Sequence, residues 1–142
     1  MRRYLLAALL ILMGFSLGAS AQACSPLPCI VATASLTAQS APLPLTTIYT
    51  PPASGLFRVS TYMSVGKGQH STAPTWFLTL GWTDDNGPRH VDTTVDQKTS
   101  NANTATTVIQ AVGGEPVAYR TSLQGELGAA TYNLFIVVEQ LQ

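Results

Sequence analysis

His90 and Asp92 are the residues whose types and spacing come closest to those of a metal site. Side chains two residues apart on an extended chain leave on the same face, and oxygen-bearing residues precede these two at 84–86. Imidazole nitrogen and carboxylate oxygen are common metal ligands, but two ligands do not complete a site and the spacing is not that of an EF-hand loop. A charged turn followed by a solvated edge strand explains the same residues. We therefore predict no metal and no other cofactor.

A nucleophile elbow, Gly-x-Ser-x-Gly, occurs at residues 14–18. The motif has meaning only on a strand-to-helix turn of a folded domain, and here it lies in a segment with the features of an export signal. Elsewhere, a serine or threonine nucleophile needs a base within hydrogen-bond reach, and His70 and His90 are the only histidines. We predict that the protein is not an enzyme. An unrecognised hydrolase that relies on one of these histidines is the alternative.

Trp76 and Trp82 are an even number of residues apart in a predicted strand, so both rings fall on one face. Exposed aromatic rings hold sugar rings in many β-sandwich modules, which makes the two tryptophans a possible ligand platform. Tyr49, Tyr62 and Tyr119 could serve in the same way. The favoured interpretation is that both tryptophans are core residues, because large aromatic side chains contribute much of the buried area of a core.

Cys24 and Cys29 are the only cysteines and lie close together. In an oxidising compartment, a disulfide that closes this small ring is the preferred interpretation. Two free thiols are one alternative. Attachment of a lipid to Cys24 is another, although Ala21 occupies the position where a lipoprotein signal usually has leucine. Lipidation would leave Cys29 unpaired, so it is incompatible with the disulfide.

Residues 1–23 have the three parts of a cleavable export signal. Two arginines form the basic region, residues 4–15 form the apolar region, and small residues at 18–23 form the cleavage region. The apolar region is too short to span a membrane, which takes about 20 residues. Cleavage is expected after residue 23, with cleavage before Gln22 as the rival. The mature protein is then secreted or periplasmic, or lipid-anchored through Cys24 in the alternative above.

Composition limits the classes of partner. The signal carries two of the seven basic residues and none of the seven acidic ones, so the mature chain is slightly acidic. Its five scattered cations form no basic patch, and we expect no nucleic-acid partner. No later apolar stretch is long enough to be a transmembrane segment. The predicted organisation is a signal peptide at 1–23, a short segment with the cysteine pair at 24–29, and a single β-sandwich domain at 30–142.

The elements that position these residues are predicted to be strands. The chain is rich in Thr, Val, Ser and aromatic residues and is interrupted by Gly, Pro and Asn. Alternation of side chains predicts strands at residues 30–39, 45–50, 55–65, 76–83, 90–95, 104–112, 117–124 and 130–141. A hairpin turn is predicted at 84–88 and an edge strand at 90–95, while segments 66–74 and 99–104 are expected to be mobile loops.

About eight strands in a domain of this length fit an all-β fold, an antiparallel two-sheet sandwich of the jelly-roll type. An immunoglobulin-like sandwich is the second choice, but the widely spaced cysteine pair that would support it is missing. The last predicted strand has apolar residues on both faces, which is typical of a strand that is covered on both sides or lies in the middle of a sheet.

Four segments carry a resemblance to known proteins, namely residues 36–39, 55–62, 82–87 and 130–139. There the chain resembles uncharacterised bacterial and phage-associated secreted β-sandwich proteins, in which a GLYRVS strand, a WTD…G hairpin and a final ATYNLYVVVE strand recur. The resemblance covers most of the mature domain and implies a structural or binding role without identifying functional residues. An export signal is not expected of a virion component, which is assembled in the cytoplasm.

The sequence therefore predicts an exported, non-catalytic β-sandwich with a binding or assembly role at the cell exterior. Its partner would be a protein or a glycan of unknown identity, and strand edges make a homo-oligomer possible. A carbohydrate-binding module that uses Trp76 and Trp82 is the second hypothesis.

Overall fold

The computed structural model describes residues 24–66, 75–96, 102–125 and 131–142. The predicted signal peptide at 1–23 and His70 lie outside these ranges. The described residues form eight strands: β1 (Cys29–Gln39), β2 (Thr46–Tyr49), β3 (Gly55–Val65), β4 (Thr75–Asp84), β5 (Gly87–Asp96), β6 (Ala102–Ala111), β7 (Val117–Gln124) and β8 (Tyr132–Gln140).

The strands form two four-stranded antiparallel sheets, sheet A in the order β1-β8-β3-β6 and sheet B in the order β2-β7-β4-β5. Strand β4 pairs with β5, β3 with β6, β2 with β7 and β1 with β8, so the chain behaves as one long antiparallel ribbon folded at the β4–β5 turn. Successive pairs of this ribbon alternate between the sheets. That arrangement is the jelly roll, which confirms the predicted fold class. The immunoglobulin-like alternative, with its different strand order, is wrong.

Alternating side chains explain why β3 and β8 form the middle of sheet A. On β3 the buried residues are Phe57, Val59, Thr61, Met63 and Val65, and on β8 they are Tyr132, Leu134, Ile136 and Val138. The two sets face sheet B, where Trp76, Leu78 and Leu80 of β4 and Val117 and Tyr119 of β7 complete the core. Strand β8 lies between β1 and β3, as its two apolar faces predicted.

A relay of hydrogen bonds connects the two sheets to the β1–β2 loop. Tyr132 of β8 donates its hydroxyl proton to the carbonyl oxygen of Ala41 at 3.0 Å. Because that proton is used, the 2.8 Å contact with Thr121 must have the Thr121 hydroxyl as donor. The amide of Leu43 in turn donates to Thr121 Oγ1 at 2.7 Å. The relay satisfies every polar atom in it and fixes the loop against the sandwich.

The predicted strand bounds agree with the structure to within one or two residues for most strands. Strands β3 and β7 begin and end where the alternation predicted. One expectation is wrong: Ala102 and Asn103, predicted as part of a loop before a strand that begins at residue 104, belong to β6 and pair with β3 in unbroken register. Most of the two predicted loops, at 67–74 and 99–101, lies outside the described residues.

The β4–β5 hairpin turns through Asp85 and Asn86, since Asp84 is already paired with Gly87. Gly87 follows with a φ of 109°, a conformation that residues with a Cβ rarely adopt. Strand β5 lies at one edge of sheet B, which confirms the prediction for 90–95.

Candidate functional site

The outer face of sheet A is the surface that the four strands turn away from sheet B. Three cross-strand rows define it, each with one residue from β1, β8, β3 and β6: Ser35, Phe135, Tyr62 and Thr104; Thr33, Val137, Ser60 and Thr106; and Ile30, Glu139, Arg58 and Val108. The alternate residues of β8 and β3 are buried in the core, and this alternation directs the rows outward.

Large apolar side chains concentrate on this face. Among the described residues, six large hydrophobic side chains are exposed, and four of them belong to the rows: Ile30 at 60%, Val108 at 60%, Tyr62 at 40% and Phe135 at 37%. The other two are Leu27, beside the N-terminal cysteines, and Leu45, just before β2. The outer face of sheet A is therefore the main exposed apolar surface of the described structure.

Tyr62 and Phe135 form an aromatic pair near the middle of this face. They are directly opposite each other on the neighbouring strands β3 and β8. Their ring centroids are 6.0 Å apart and the ring planes are inclined by 45°, a tilted geometry that suits the quadrupoles of aromatic rings. The two rings contact each other, while more than a third of each residue stays accessible.

One ion pair crosses the same two strands four residues further along, with the Ser60–Val137 row in between. Arg58 Nε lies 2.6 Å from Glu139 Oε2. The hydrogen bond from Arg58 lowers the pKa of Glu139 below its ordinary value, and the same bond raises the pKa of Arg58. Both side chains are partly exposed, so the pair contributes little to stability. Its charges are instead available to orient a ligand on the face.

Hydroxyl groups occupy the remaining positions of the rows except that of Val137. Ser60 and Thr106 lie 3.5 Å apart across β3 and β6, and Thr33 and Ser35 are exposed on β1. Aromatic rings, hydroxyls and one ion pair on a four-stranded surface can make stacking, hydrogen-bond and ionic contacts. They include no histidine or cysteine, and the arrangement is suited to binding.

The outer face of sheet B is polar by comparison. His90 and Asp92 both lie on it and are exposed, which confirms that they share one face. Thr79 lies between Asp92 and Arg120 in one of its cross-strand rows. In the described ranges, no three His, Cys, Asp or Glu side chains come together as a metal-binding group.

The acidic residues of the β4–β5 turn have protein partners. Asp84 accepts a hydrogen bond from Arg89 Nε at 2.8 Å and another from the amide of Asn86 at 2.8 Å. The bond from Arg89 lowers the pKa of the Asp84 carboxyl group. Asp85 accepts a hydrogen bond from the side-chain amide of Gln110. These contacts give the turn a structural role, in agreement with the favoured interpretation of the charged residues.

The tryptophan platform does not form. Trp76 is 0% exposed and packs across the sheets against Tyr132, with ring centroids 4.3 Å apart. Trp82 lies on the same face of β4 and is partly buried against the core. A ring without exposed surface cannot stack on a sugar, so Trp76 is excluded from such a platform. Burial also raises the pKa of Tyr49 and of Tyr119, two of the other aromatic residues considered.

Cys24 and Cys29 are joined in a disulfide with a Cα–Cα distance of 6.0 Å, which is within the usual range. The ring sits at one corner of sheet A, because Cys29 begins β1 and pairs with Gln140. The two cysteines therefore lie at disulfide distance, as the preferred interpretation requires.

Sequence reasoning considered Tyr62 but missed Phe135. The signal for Phe135 was present: it lies on the second face of β8, opposite in direction to the buried Tyr132, Leu134 and Ile136. The alternation could not show whether another element covers that second face. In the described structure it is only partly covered, since Phe135 is 37% exposed.

No protein-family model matches this chain, and no curated protein matches it. Three solved structures are distantly similar. They are PRD1 vertex protein P5 (13% identity, 80% of this chain and 99% of that chain, TM-score 0.48), Eiger TNF from S. frugiperda (13%, 81% and 94%, TM-score 0.38) and Family 16 Carbohydrate Binding Module-2 (8%, 68% and 68%, TM-score 0.33). At this distance they indicate no function. The chain's own strand order defines the class, a jelly-roll sandwich.

The described segments contain no helix with the length and apolar character needed to cross a membrane.

Proposed function

We propose that this protein is an exported, non-catalytic binding or assembly protein, and that the outer face of sheet A is its contact surface. The observation that supports the proposal most directly is the exposed aromatic pair of Tyr62 and Phe135 on a face that holds four of the six exposed large hydrophobic side chains of the described residues.

The energetics of surfaces support binding at this place. Exposed apolar surface is unfavourable in water and marks an interaction site in many soluble proteins. Aromatic residues and arginine are enriched among the residues that contribute most to binding energy, and Tyr62, Phe135 and Arg58 all belong to the outer face of sheet A. Because the rings are held by each other and by two central strands, little side-chain freedom is lost when a partner covers them.

A glycan and a protein are both suitable partners for such a face. The accessible ring of Tyr62, with Ser60 and Thr106 beside it, provides the stacking surface and hydroxyls that a sugar ring would use. This observation keeps carbohydrate binding as the second candidate, now on Tyr62 and Phe135 in place of the two tryptophans.

Retention assays with three forms of the mature protein test the proposal. The wild type, a Tyr62→Ser/Phe135→Ser double variant, and a Phe77→Ser control would each be assayed on a glycan array and against immobilised envelope material of the producing organism. Phe77 is a matched control because it lies on the outer face of sheet B, opposite Thr94 and Ser122. We expect the wild type and the control to be retained and the double variant to be lost.

Two results would contradict the proposal. Equal retention of all three forms would show that the outer face of sheet A is not the contact surface. Turnover of a substrate by the wild type, abolished in His90→Ala, would favour the hydrolase hypothesis instead.

Export is the remaining part of the proposal, and intact-mass analysis of the mature protein tests it. Loss of residues 1–23 is expected, together with a mass about two hydrogens lower than that of the reduced chain because of the Cys24–Cys29 bond. The disulfide is favourable to this proposal, since such bonds persist in oxidising compartments. An intact N-terminus would contradict export.

A further inference from the structure

The four edge strands of the sandwich differ in how they discourage pairing with another chain. Exposed edges have free backbone groups that can bind a further strand, and proteins block them with charges, prolines, bulges or short length. Strand β5 has Pro88, Arg89, His90 and Asp92. Strand β2 has only four residues. Each of these two edges therefore carries a recognised block.

Strand β1 is blocked by irregularity. Its register against β8 shifts twice, between Ile30 and Ala32 and between Leu36 and Gln39. Ala38, within the second shift, has a φ of 53°, which turns the backbone out of the extended conformation. The disulfide ring lies at the start of the same strand. A straight ladder cannot form along such an edge.

Strand β6 has none of these features. It is ten residues long and pairs with β3 without a register shift. Its sequence, ANTATTVIQA, contains no charged residue and no proline, and five of its ten residues are β-branched. Thr104, Thr106 and Val108 of this strand are exposed.

The backbone of β6 also has unused bonding capacity on that edge. Within the described ranges, β3 is its only strand neighbour in the sheet, and no further backbone hydrogen bond involves residues 103–110. The side chain of Asn103 reaches across to the carbonyl of Thr94 at 2.7 Å and ties β6 to β5 near one end. The middle of the strand is left open for about six residues.

The absence of charged residues from β6 favours a second copy of the same strand as its partner. In an antiparallel pair of identical strands related by a twofold axis, a residue near the axis meets its own equivalent, and a residue further out meets one from the other half of the same strand. A strand with several like charges therefore brings like charges together. Strand β6 avoids this repulsion in every register, whereas β5 does not. Threonine, valine and isoleucine are also residues that pack well across neighbouring strands.

We propose that β6 is a homodimerisation edge, at which the β6 strand of a second copy of this chain pairs antiparallel to the first. The contact is isologous and closed. It joins the two copies of sheet A into one eight-stranded sheet and makes their outer faces continuous. A dimer thus presents two aromatic pairs on one surface. The inference concerns the edge of the sheet and does not depend on the proposed ligand-binding role of its face.

Thr106 and Thr33 provide a matched test. Both are exposed threonines in the same cross-strand row, Thr106 on β6 and Thr33 on β1 at the opposite edge of sheet A. The mature protein, Thr106→Lys and Thr33→Lys would be compared by gel filtration with light scattering over a range of concentrations. We expect a dimer for the wild type and for Thr33→Lys, and a dissociation constant at least about tenfold higher for Thr106→Lys.

Charge complementation separates a pairing effect from a folding effect. An equimolar mixture of Thr106→Lys and Thr106→Glu should restore the dimer, because each lysine then meets a glutamate. The proposal is overturned if the wild type is monomeric at all concentrations, if Thr106→Lys stays dimeric, if Thr33→Lys dissociates, or if the mixture does not reassociate. A Tyr62→Ser/Phe135→Ser variant that remains dimeric but loses retention would separate this proposal from the binding function.

Discussion

Two aromatic pairs of similar composition occupy opposite environments in this protein. Trp76 and Tyr132 join the two sheets through the core, and each is 0% exposed. Tyr62 and Phe135 join two strands of one sheet at its outer face, with 40% and 37% exposed. Strand β8 contributes to both pairs, since Tyr132 and Phe135 are three residues apart and therefore point to opposite faces.

The difference teaches that residue type does not decide the role of an aromatic side chain here. The two tryptophans, the usual choice for a ligand platform, lie on the inner face of β4, and the exposed pair consists of a tyrosine and a phenylalanine. We expect the buried core pair to contribute more to stability than the exposed surface pair.

Truncation in the core should give the largest effect. Trp76→Ala removes a fully buried ring from between the sheets and leaves a cavity, so we expect a loss of about 3–5 kcal/mol in the free energy of unfolding. Chemical denaturation followed by circular dichroism measures it. Trp82→Ala is the control on the same strand face and should lose less, because Trp82 is only partly buried. Equal losses would mean that the burial of Trp76 is not what stabilises the sandwich.

Removing the tyrosine hydroxyl from each aromatic pair compares how much that hydroxyl contributes to stability in the core and on the surface. Tyr132→Phe keeps the ring but breaks the relay, leaving Thr121 and the carbonyl of Ala41 without this partner. We expect a loss of about 1–3 kcal/mol. Tyr62→Phe is the counterpart on the surface, where no hydrogen bond of the tyrosine hydroxyl occurs among the described residues, and it should change stability by less than about 0.5 kcal/mol. Similar values for the two variants would contradict the comparison.

The interaction free energy between the two rings of the surface pair should be small. A double-mutant cycle with Tyr62→Ala and Phe135→Ala isolates the interaction between the rings from their separate burial. We expect a coupling of about 0.2–1 kcal/mol, typical of cross-strand pairs. A coupling above about 2 kcal/mol would indicate that the pair is a structural cluster like the one in the core.

The smallest expected effect is the pH dependence of the ion pair between Arg58 and Glu139 on the same face. The hydrogen bond from Arg58 holds the folded-state pKa of Glu139 below its ordinary value of 4.5. Its contribution is therefore complete above the unfolded-state pKa and is lost as the pH falls through the lower, folded-state pKa. Thermal unfolding of the wild type and Glu139→Gln should differ slightly at neutral pH, and the difference should disappear in acid. A difference that grows in acid would contradict this assignment.

The alternation of side chains along the chain was sufficient to predict the strands and, for many of them, which face is buried. Alternation along 55–65 gave the bounds of β3, and five alternate residues of that strand are buried. The edge position of β5 was predicted from its short length and polar face, and the mid-sheet position of β8 from its two apolar faces. Loop composition gave the wrong prediction for Ala102 and Asn103, because β3 pairs with these small and polar residues across a long separation in sequence.

The candidate site was less accessible to the same reasoning. The disulfide could be predicted because Cys24 and Cys29 are close in sequence. The aromatic face could not, since Ser35, Phe135, Tyr62 and Thr104 come from four strands, and only the pairing of those strands brings them into one row.

By itself, the sequence determined the all-β class, the approximate strands, the cysteine ring and the division of each strand into two faces. These properties depend on residues close together in the chain and on the two-residue period of an extended backbone. Only the tertiary structure decided which strands are neighbours, which tryptophan is buried, and that Phe135 stays 37% exposed in the described structure. Those outcomes depend on contacts between residues such as Phe135 and Tyr62 that are far apart in sequence, and no local pattern specifies them.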